Sequence, residues 1–157
     1  MQNLSRYFIE GTGKTPMIDF DNISGDLILA GRSIPENTVI CYEPVYSWVT
    51  EYIKSPSKIT NFQLQLEYFN VASLKWIVKI LLLLSHIDKS GSSLIIHMYF
   101  DLPDYESLDS SDLREIIGSV FKSSPVLKTR IEIVSCCMDK NGEISDKNSL
   151  TVRSLRL

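Results

Sequence analysis

The stretch Phe62-Gln-Leu-Gln-Leu-Glu-Tyr-Phe-Asn-Val-Ala-Ser73 decides the fold. Phe62, Leu64, Leu66 and Tyr68 alternate with Gln63, Gln65 and Glu67, the period-two mark of a strand with one buried face. Asn70 stands where a helix can be capped, and Ala72 to Asp88 reads as that helix. Leu74, Ile77, Val78, Leu81 and Leu84 form one apolar stripe, and Trp76, Ile80, Leu83 and Ile87 form an adjoining one. Only a narrow polar strip remains through Lys75, Lys79 and His86, so the helix is buried over more than half its circumference.

Upstream, Met17–Phe20 and Leu27–Ala30 flank a run of turn formers and read as a β-hairpin. Gly31 to Asn37 reads as a loop, because Pro35 turns Ile34 away from helical geometry. Val45, Trp48, Val49, Tyr52 and Ile53 follow at helical spacing. Pro44 fits the first turn of that helix; a start at Asn37 or Thr38 would make it a kink. Ser55-Pro56-Ser57 ends the helix. Downstream, Gly91 is a turn and Leu94 to Phe100 a strand. Pro103 to Ser111 is an acidic loop, Asp112 to Phe121 a helix capped near Ser111, and Thr129 to Cys136 a last core strand. Asp139 to Glu143 is a turn, after which the final dozen residues return as a strand or fray. The order ββαβαβαβ predicts an α/β single domain, a mixed β-sheet with helices packed against it.

Composition agrees with one domain and excludes several classes. The chain has 157 residues, 44% apolar and 22% charged, with a formal net charge of −3. That is too apolar for disorder and too acidic for a nucleic-acid or polybasic membrane binder. The stretch Trp76 to Leu84 falls far short of a membrane span. The first ten residues lack a basic then apolar leader. Cys41 stands apart, and Cys136 and Cys137 are neighbours, a usage that fits a reducing compartment. The expectation is a cytoplasmic protein.

The chemistry-bearing residues give no catalytic pattern. Gly11-Thr-Gly-Lys-Thr15 resembles the end of a phosphate-binding loop, yet Phe8 occupies the position of the first glycine and Pro16 stands where the helix should run. His86 and His97 have no Cys or His at ligand spacing, so no metal site is expected. No Gly-x-Ser-x-Gly elbow presents a nucleophile. Asp101, Asp104, Glu106 and Asp109 read as a solvated acidic loop. No cofactor is called for. The most informative place is the strand-to-helix junction at Asn70, Val71, Ala72 and Ser73. The first N–H groups of that helix lack partners and carry partial positive charge, so an anion is favoured there and a phosphate would rewrite any docking surface.

Glu10-Gly-Thr-Gly-Lys-Thr-Pro16, Gly31-Arg-Ser-Ile-Pro-Glu-Asn37 and Glu67-Tyr-Phe-Asn70, in this order and spacing, resemble the SiaC family of bacterial regulatory phosphoproteins. Tyr46-x-Trp48 and His97-Met-Tyr-Phe-Asp101 fit the remaining pattern, and the match runs from about Glu10 to Asp101. The resemblance implies a STAS-like fold, similar to anti-sigma-factor antagonists, over residues 1–135. Residues 136–157 would be a C-terminal extension. It also implies a non-enzymatic switch whose unphosphorylated form binds and activates a diguanylate cyclase. A protein kinase and a PP2C-type phosphatase would set its phosphorylation state, with cyclic-di-GMP level and biofilm formation as the output.

One departure matters. The family acceptor is a threonine directly after the asparagine, and here that position is Val71, nearly isosteric but without an oxygen. Either Ser73 has taken over as phosphoacceptor or the protein is locked in its partner-binding form; we take the locked form. The expected contact surface is the helix start Asn70–Ser73 with the loop residues Arg32, Ser33, Glu36 and Asn37. Tyr68 and Phe69 supply aromatic area, of which alternation leaves at most one ring exposed. The alternative partner is an anti-sigma kinase in a partner-switching stress circuit. A third reading, a small enzyme using Cys41 or the acidic loop, needs a deep pocket with converging polar groups. The second stripe of helix 72–88 serves a homodimer or the core equally well.

Overall fold

A computed structural model describes residues 3–87, 92–101 and 130–152. Among these residues seven strands form one sheet in sequential order. They are β1 (Tyr7–Ile9), β2 (Met17–Phe20), β3 (Asp26–Ser33), β4 (Ile59–Phe69), β5 (Ser93–Asp101), β6 (Arg130–Met138) and β7 (Ile144–Val152). Strands β3 to β6 run parallel, and antiparallel pairs β1·β2, β2·β3 and β6·β7 complete a mixed sheet. Helix α1 (Thr38–Tyr52) joins β3 to β4, and α2 (Val71–Leu84) joins β4 to β5. The expected helix 112–121 lies outside the described residues, as do the turn at Gly91 and the acidic run 103–111.

The core forms where the helices meet one face of the sheet. Phe62 alternates inward as expected and is fully buried with Leu27, Leu29 and Leu94. Phe20 meets Trp48 and Phe62 edge-on at 5.6 and 6.2 Å between ring centroids, a favoured aromatic geometry. The Trp48 indole N–H donates to the Ser5 carbonyl at 2.8 Å, which ties the chain's start to α1.

Several boundaries differ from the sequence reading, each for a local reason. Helix α1 starts at Thr38, seven residues ahead of Val45, because the Asn37 side chain accepts from the N–H groups of Val39 and Ile40 at 3.1 and 3.2 Å. Pro44 therefore lies inside the helix. The i−4 carbonyl that it leaves without a donor belongs to Ile40, on a largely exposed turn. Gly31–Asn37 is only partly a loop, since β3 continues through Ser33. Gly31 pairs with Leu66 and Arg32 with Tyr68, leaving Glu67 as the extra residue of a bulge. Gly31 takes φ +91° at that step, which favours glycine.

Helix α2 ends at Leu84, four residues before Asp88. Ser85 Oγ donates to the Leu82 carbonyl at 2.6 Å, and Ser85 caps the helix. Of its expected core stripe, Ile77, Leu81 and Leu84 are buried, but Leu74 is 43% exposed. Two strands stand outside the expected order. Strand β1 has three residues, too few for alternation to be read, and β7 settles the chain's return as a strand through Val152. The expected division between 135 and 136 falls inside β6. Among the described residues no strand pairs with the outer edge of β7, where Asp146 and Lys147 are exposed.

Candidate functional site

The site lies at the carboxyl ends of parallel strands β3 and β4, where open α/β sheets place their binding surfaces. Strand β4 runs directly into α2, β3 reaches α1 through residues 34–37, and both helices open with an asparagine cap. Asn70 Oδ1 accepts from the Ser73 N–H at 2.8 Å, as expected. The N–H groups of Val71 and Ala72 have no intrahelical acceptor by position.

Three hydroxyls and one carbonyl bind the junction from beneath. Asn70 N–H donates to the Ser33 carbonyl at 3.0 Å, and the Ser73 hydroxyl donates to the same oxygen at 2.9 Å. Ser33 Oγ donates to Ser73 Oγ at 2.8 Å, which leaves the Tyr42 hydroxyl as donor in its 2.6 Å bond to Ser33 Oγ. Ser33, Tyr42 and Ser73 are all fully buried. Strand β3, helix α1 and helix α2 thus share one satisfied polar cluster. Unmaking such a bond leaves buried groups unpaired, at roughly 1–3 kcal/mol.

Burial pushes the Tyr42 phenol up to about 12. The fold therefore favours the protonated phenol. This contribution is complete below about pH 10, where a free tyrosine ionises, and is lost as pH rises toward about 12. Urea unfolding should show stability falling over that window by roughly 2–3 kcal/mol from this residue. Tyr7 and Tyr99 are shifted in the same direction by burial and add to the slope. Tyr42→Phe should flatten the decline while lowering the neutral-pH baseline by about 1 kcal/mol. An unchanged alkaline slope would show that this phenol does not govern it.

Above this cluster the surface is apolar. Val71 is 70% exposed, Tyr68 56% and Phe69 44%. Both rings are therefore exposed, against the expectation of one. Ser33 points to the helices and Arg32 away from them, so Tyr68, opposite Arg32, lies on the sheet face that neither α1 nor α2 covers. Phe69 follows at the end of β4, where the chain turns into α2. The Arg32 guanidinium lies 5.8 Å over the Tyr68 ring, a cation–π geometry.

The other two motifs meet beside α1. The Lys14 ammonium pairs with Glu36 at 2.9 Å, and Ile34 N–H donates to the Lys14 carbonyl at 2.8 Å. Within Gly11–Thr15, Thr12 Oγ1 accepts from the N–H groups of Lys14 and Thr15. The loop closes on itself and leads into β2. Next to it, Tyr7, Ile9, Pro16, Pro35, Ile40 and Cys41 line a cleft of about 340 Å³. Its walls are mostly apolar, and burial pushes the Cys41 thiol up, away from nucleophilic reactivity. Among the described residues no group of three His, Cys, Asp or Glu comes together as metal ligands. No helix there is long and apolar enough to cross a membrane.

The structure brings Asn70, Val71, Ala72, Tyr68, Phe69 and Arg32 together at the surface and seats Glu36 and Asn37 at the start of the neighbouring helix. It buries Ser33 and Ser73 beneath them, so these two do not belong to the expected contact surface. Sequence reasoning missed Tyr42 and Lys14. Tyr42 falls three residues before Val45, on the same helical face, and an earlier helix start would have found it. Lys14 was set aside with its loop, and only the fold shows it reaching Glu36.

The sequence profile of the SiaC family regulatory phosphoproteins matches residues 9–125. The chain belongs to the SiaC family. A relative in Pseudomonas aeruginosa (strain UCBPP-PA14), itself uncharacterised, is 31% identical over 98 residues, covering 62% of this chain and 78% of its own. Apo-SiaC from Pseudomonas aeruginosa has a similar crystal structure, with TM-score 0.61 and 25% identity over 82% of this chain and 98% of its own. A second similar structure holds SiaC as the activator of the diguanylate cyclase SiaD, in complex with it. There the TM-score is 0.61 at 24% identity, over 81% of this chain and 97% of that one, a likeness of fold. SiaC-family membership gives the three motif segments a common context: two meet at Lys14 and Glu36, and the third opens α2.

Proposed function

We propose that this chain is a non-enzymatic, cytoplasmic regulator that binds and activates a diguanylate cyclase through the exposed start of α2, and so controls cyclic-di-GMP signalling and biofilm formation. The carrying observation is the apolar, 70% exposed Val71 at the helix start of a SiaC-family chain. The complex of the relative SiaC with SiaD supports the choice of partner class. The parallel strands with intervening helices are compatible with a STAS-like domain. A profile match ending at residue 125 leaves residues 136–157 outside it and supports reading them as a C-terminal extension.

The same geometry bears on the switch. Ser73 is buried, and its hydroxyl donates to Ser33, so a kinase would have to open the polar cluster to reach it. Val71 is accessible but has no oxygen. Both facts favour the locked form, in which kinase and PP2C-type phosphatase control has been lost at this position. Purified diguanylate cyclases of the same organism should be captured by the protein and should synthesise cyclic-di-GMP faster in its presence. Failure with every cyclase discards the reading. Val71→Thr should restore a phosphoacceptor for the family's kinase while binding stays within about threefold of wild type, as for an exposed, nearly isosteric change. Mass spectrometry finding phosphate on Ser73 of the native protein would end the locked interpretation.

A further inference from the structure

Helix α2 carries two lysines and no carboxylate, in a chain whose net charge is −3. Lys75 and Lys79 are one helical turn apart and both exposed. Among the described residues the ion pairs are Arg6–Asp19, Lys14–Glu36 and Lys54–Glu51, so neither α2 lysine has a carboxylate in reach. Like charges at this spacing oppose each other, and the helix dipole disfavours a cation near the N-terminus. Lys79 is nonetheless held in place, its ammonium 4.6 Å from the Trp76 ring centroid. Alongside the lysines, Val71, Leu74, Val78 and Leu82 recur at helical spacing. Val71 and Leu74 are exposed, and Val78 and Leu82 half-buried.

We propose that the partner interface runs beyond the first turn of α2 along this seam, and that the partner contributes an apolar strip bordered by carboxylates. The seam supplies area to desolvate, and the two unneutralised ammoniums supply the charge that an acidic border would complement. A second copy of this chain does not fit, because it would bring four lysines together. A lipid surface fits less well. The opposite face of α2 is committed to the core, leaving a strip narrower than the broad apolar face of an interfacial helix. The inference rests on the proposed reading of the site and adds the extent and electrostatic character of the contact.

The test uses purified full-length diguanylate cyclases and surface plasmon resonance. A Lys75→Glu/Lys79→Glu double variant should bind about tenfold more weakly, mainly through slower association. The wild-type affinity should fall as salt rises from about 0.05 to about 0.5 M, while the charge-reversed variant's should rise as its repulsion is screened. Lys75→Gln/Lys79→Gln should fall between the two, with circular dichroism confirming that each variant is folded. If the charge-reversed protein binds like wild type while Val71→Asp has lost binding, the seam is wrong and the interface reading stands. If neither variant weakens binding, or no cyclase binds at all, both fail. Lysine-dependent binding of the wild type to phosphatidylserine vesicles would replace the acidic protein partner with a lipid surface and overturn the inference.

Discussion

Val71→Asp should reduce affinity for the cyclase by about a hundredfold or more, because a carboxylate desolvated at the interface, beside the partner's own carboxylates, costs several kcal/mol. Its effect on the isolated protein should have the opposite sign. Position 71 is the first residue of α2, where a negative side chain meets the positive end of the helix dipole and gains roughly 0.3–1 kcal/mol. The residue also lies four before Lys75, the favourable order for an acid–base pair. Thermal unfolding should therefore be unchanged or slightly higher, while calorimetric titration shows the binding lost. Misfolding as the cause would appear as a lowered Tm. Retained binding with a normal Tm would remove position 71 from the interface.

Gly25→Ala should produce the largest loss of stability of any single methyl addition considered, about 3 kcal/mol. At this chain length that lowers Tm by roughly 6–12 °C. Gly25 adopts φ +81°, and a Cβ there would overlap the Ile59 carbonyl oxygen and approach Ser57 Cβ to 2.9 Å. Neither neighbour is free to withdraw. The Gly25 carbonyl accepts from Asn61 N–H at 2.8 Å, clamping the β2–β3 turn onto the first residues of β4. Gly31, also at positive φ, has nothing within 4 Å of its would-be Cβ. Gly31→Ala should therefore show only the backbone strain, about 1 kcal/mol. Differential scanning calorimetry of the two variants separates overlap from strain; equal losses would refute the clamp.

Much of the fold could be read from side-chain periodicity, because the helices cover one face of the sheet and β4 turns its glutamines to the other. Phe62 and Leu64 against Gln63 and Gln65 record that difference directly, and the Met17–Phe20 and Leu27–Ala30 hairpin follows from its turn formers. Periodicity failed where backbone chemistry overrode it. Asn37 started α1 ahead of Pro44, the Glu67 bulge moved Tyr68 off the sheet face of Phe62, Leu64 and Leu66, and Ser85 ended α2 before its apolar pattern stopped. The site was located by its motifs and by the Asn70 cap. Its interior was not, since serine is usually a surface residue. Only the convergence of β3, α1 and α2 makes Ser33 and Ser73 a buried pair completed by Tyr42. Leu74 was assigned to the core because an apolar residue on a helical stripe looks the same whether it faces the protein's interior or a partner.

The outer margin of β7 bears on how the protein tolerates crowding. A strand with one row of main-chain donors and acceptors unmatched is a ready template for open-ended stacking of molecules into fibrils. Here the exposed Asp146 and Lys147 sit on that strand, and its register slips opposite Cys137 and Met138. An incoming strand would have to strip water from both charges and follow a kinked line. That margin is thereby defended against recruitment into a longer sheet.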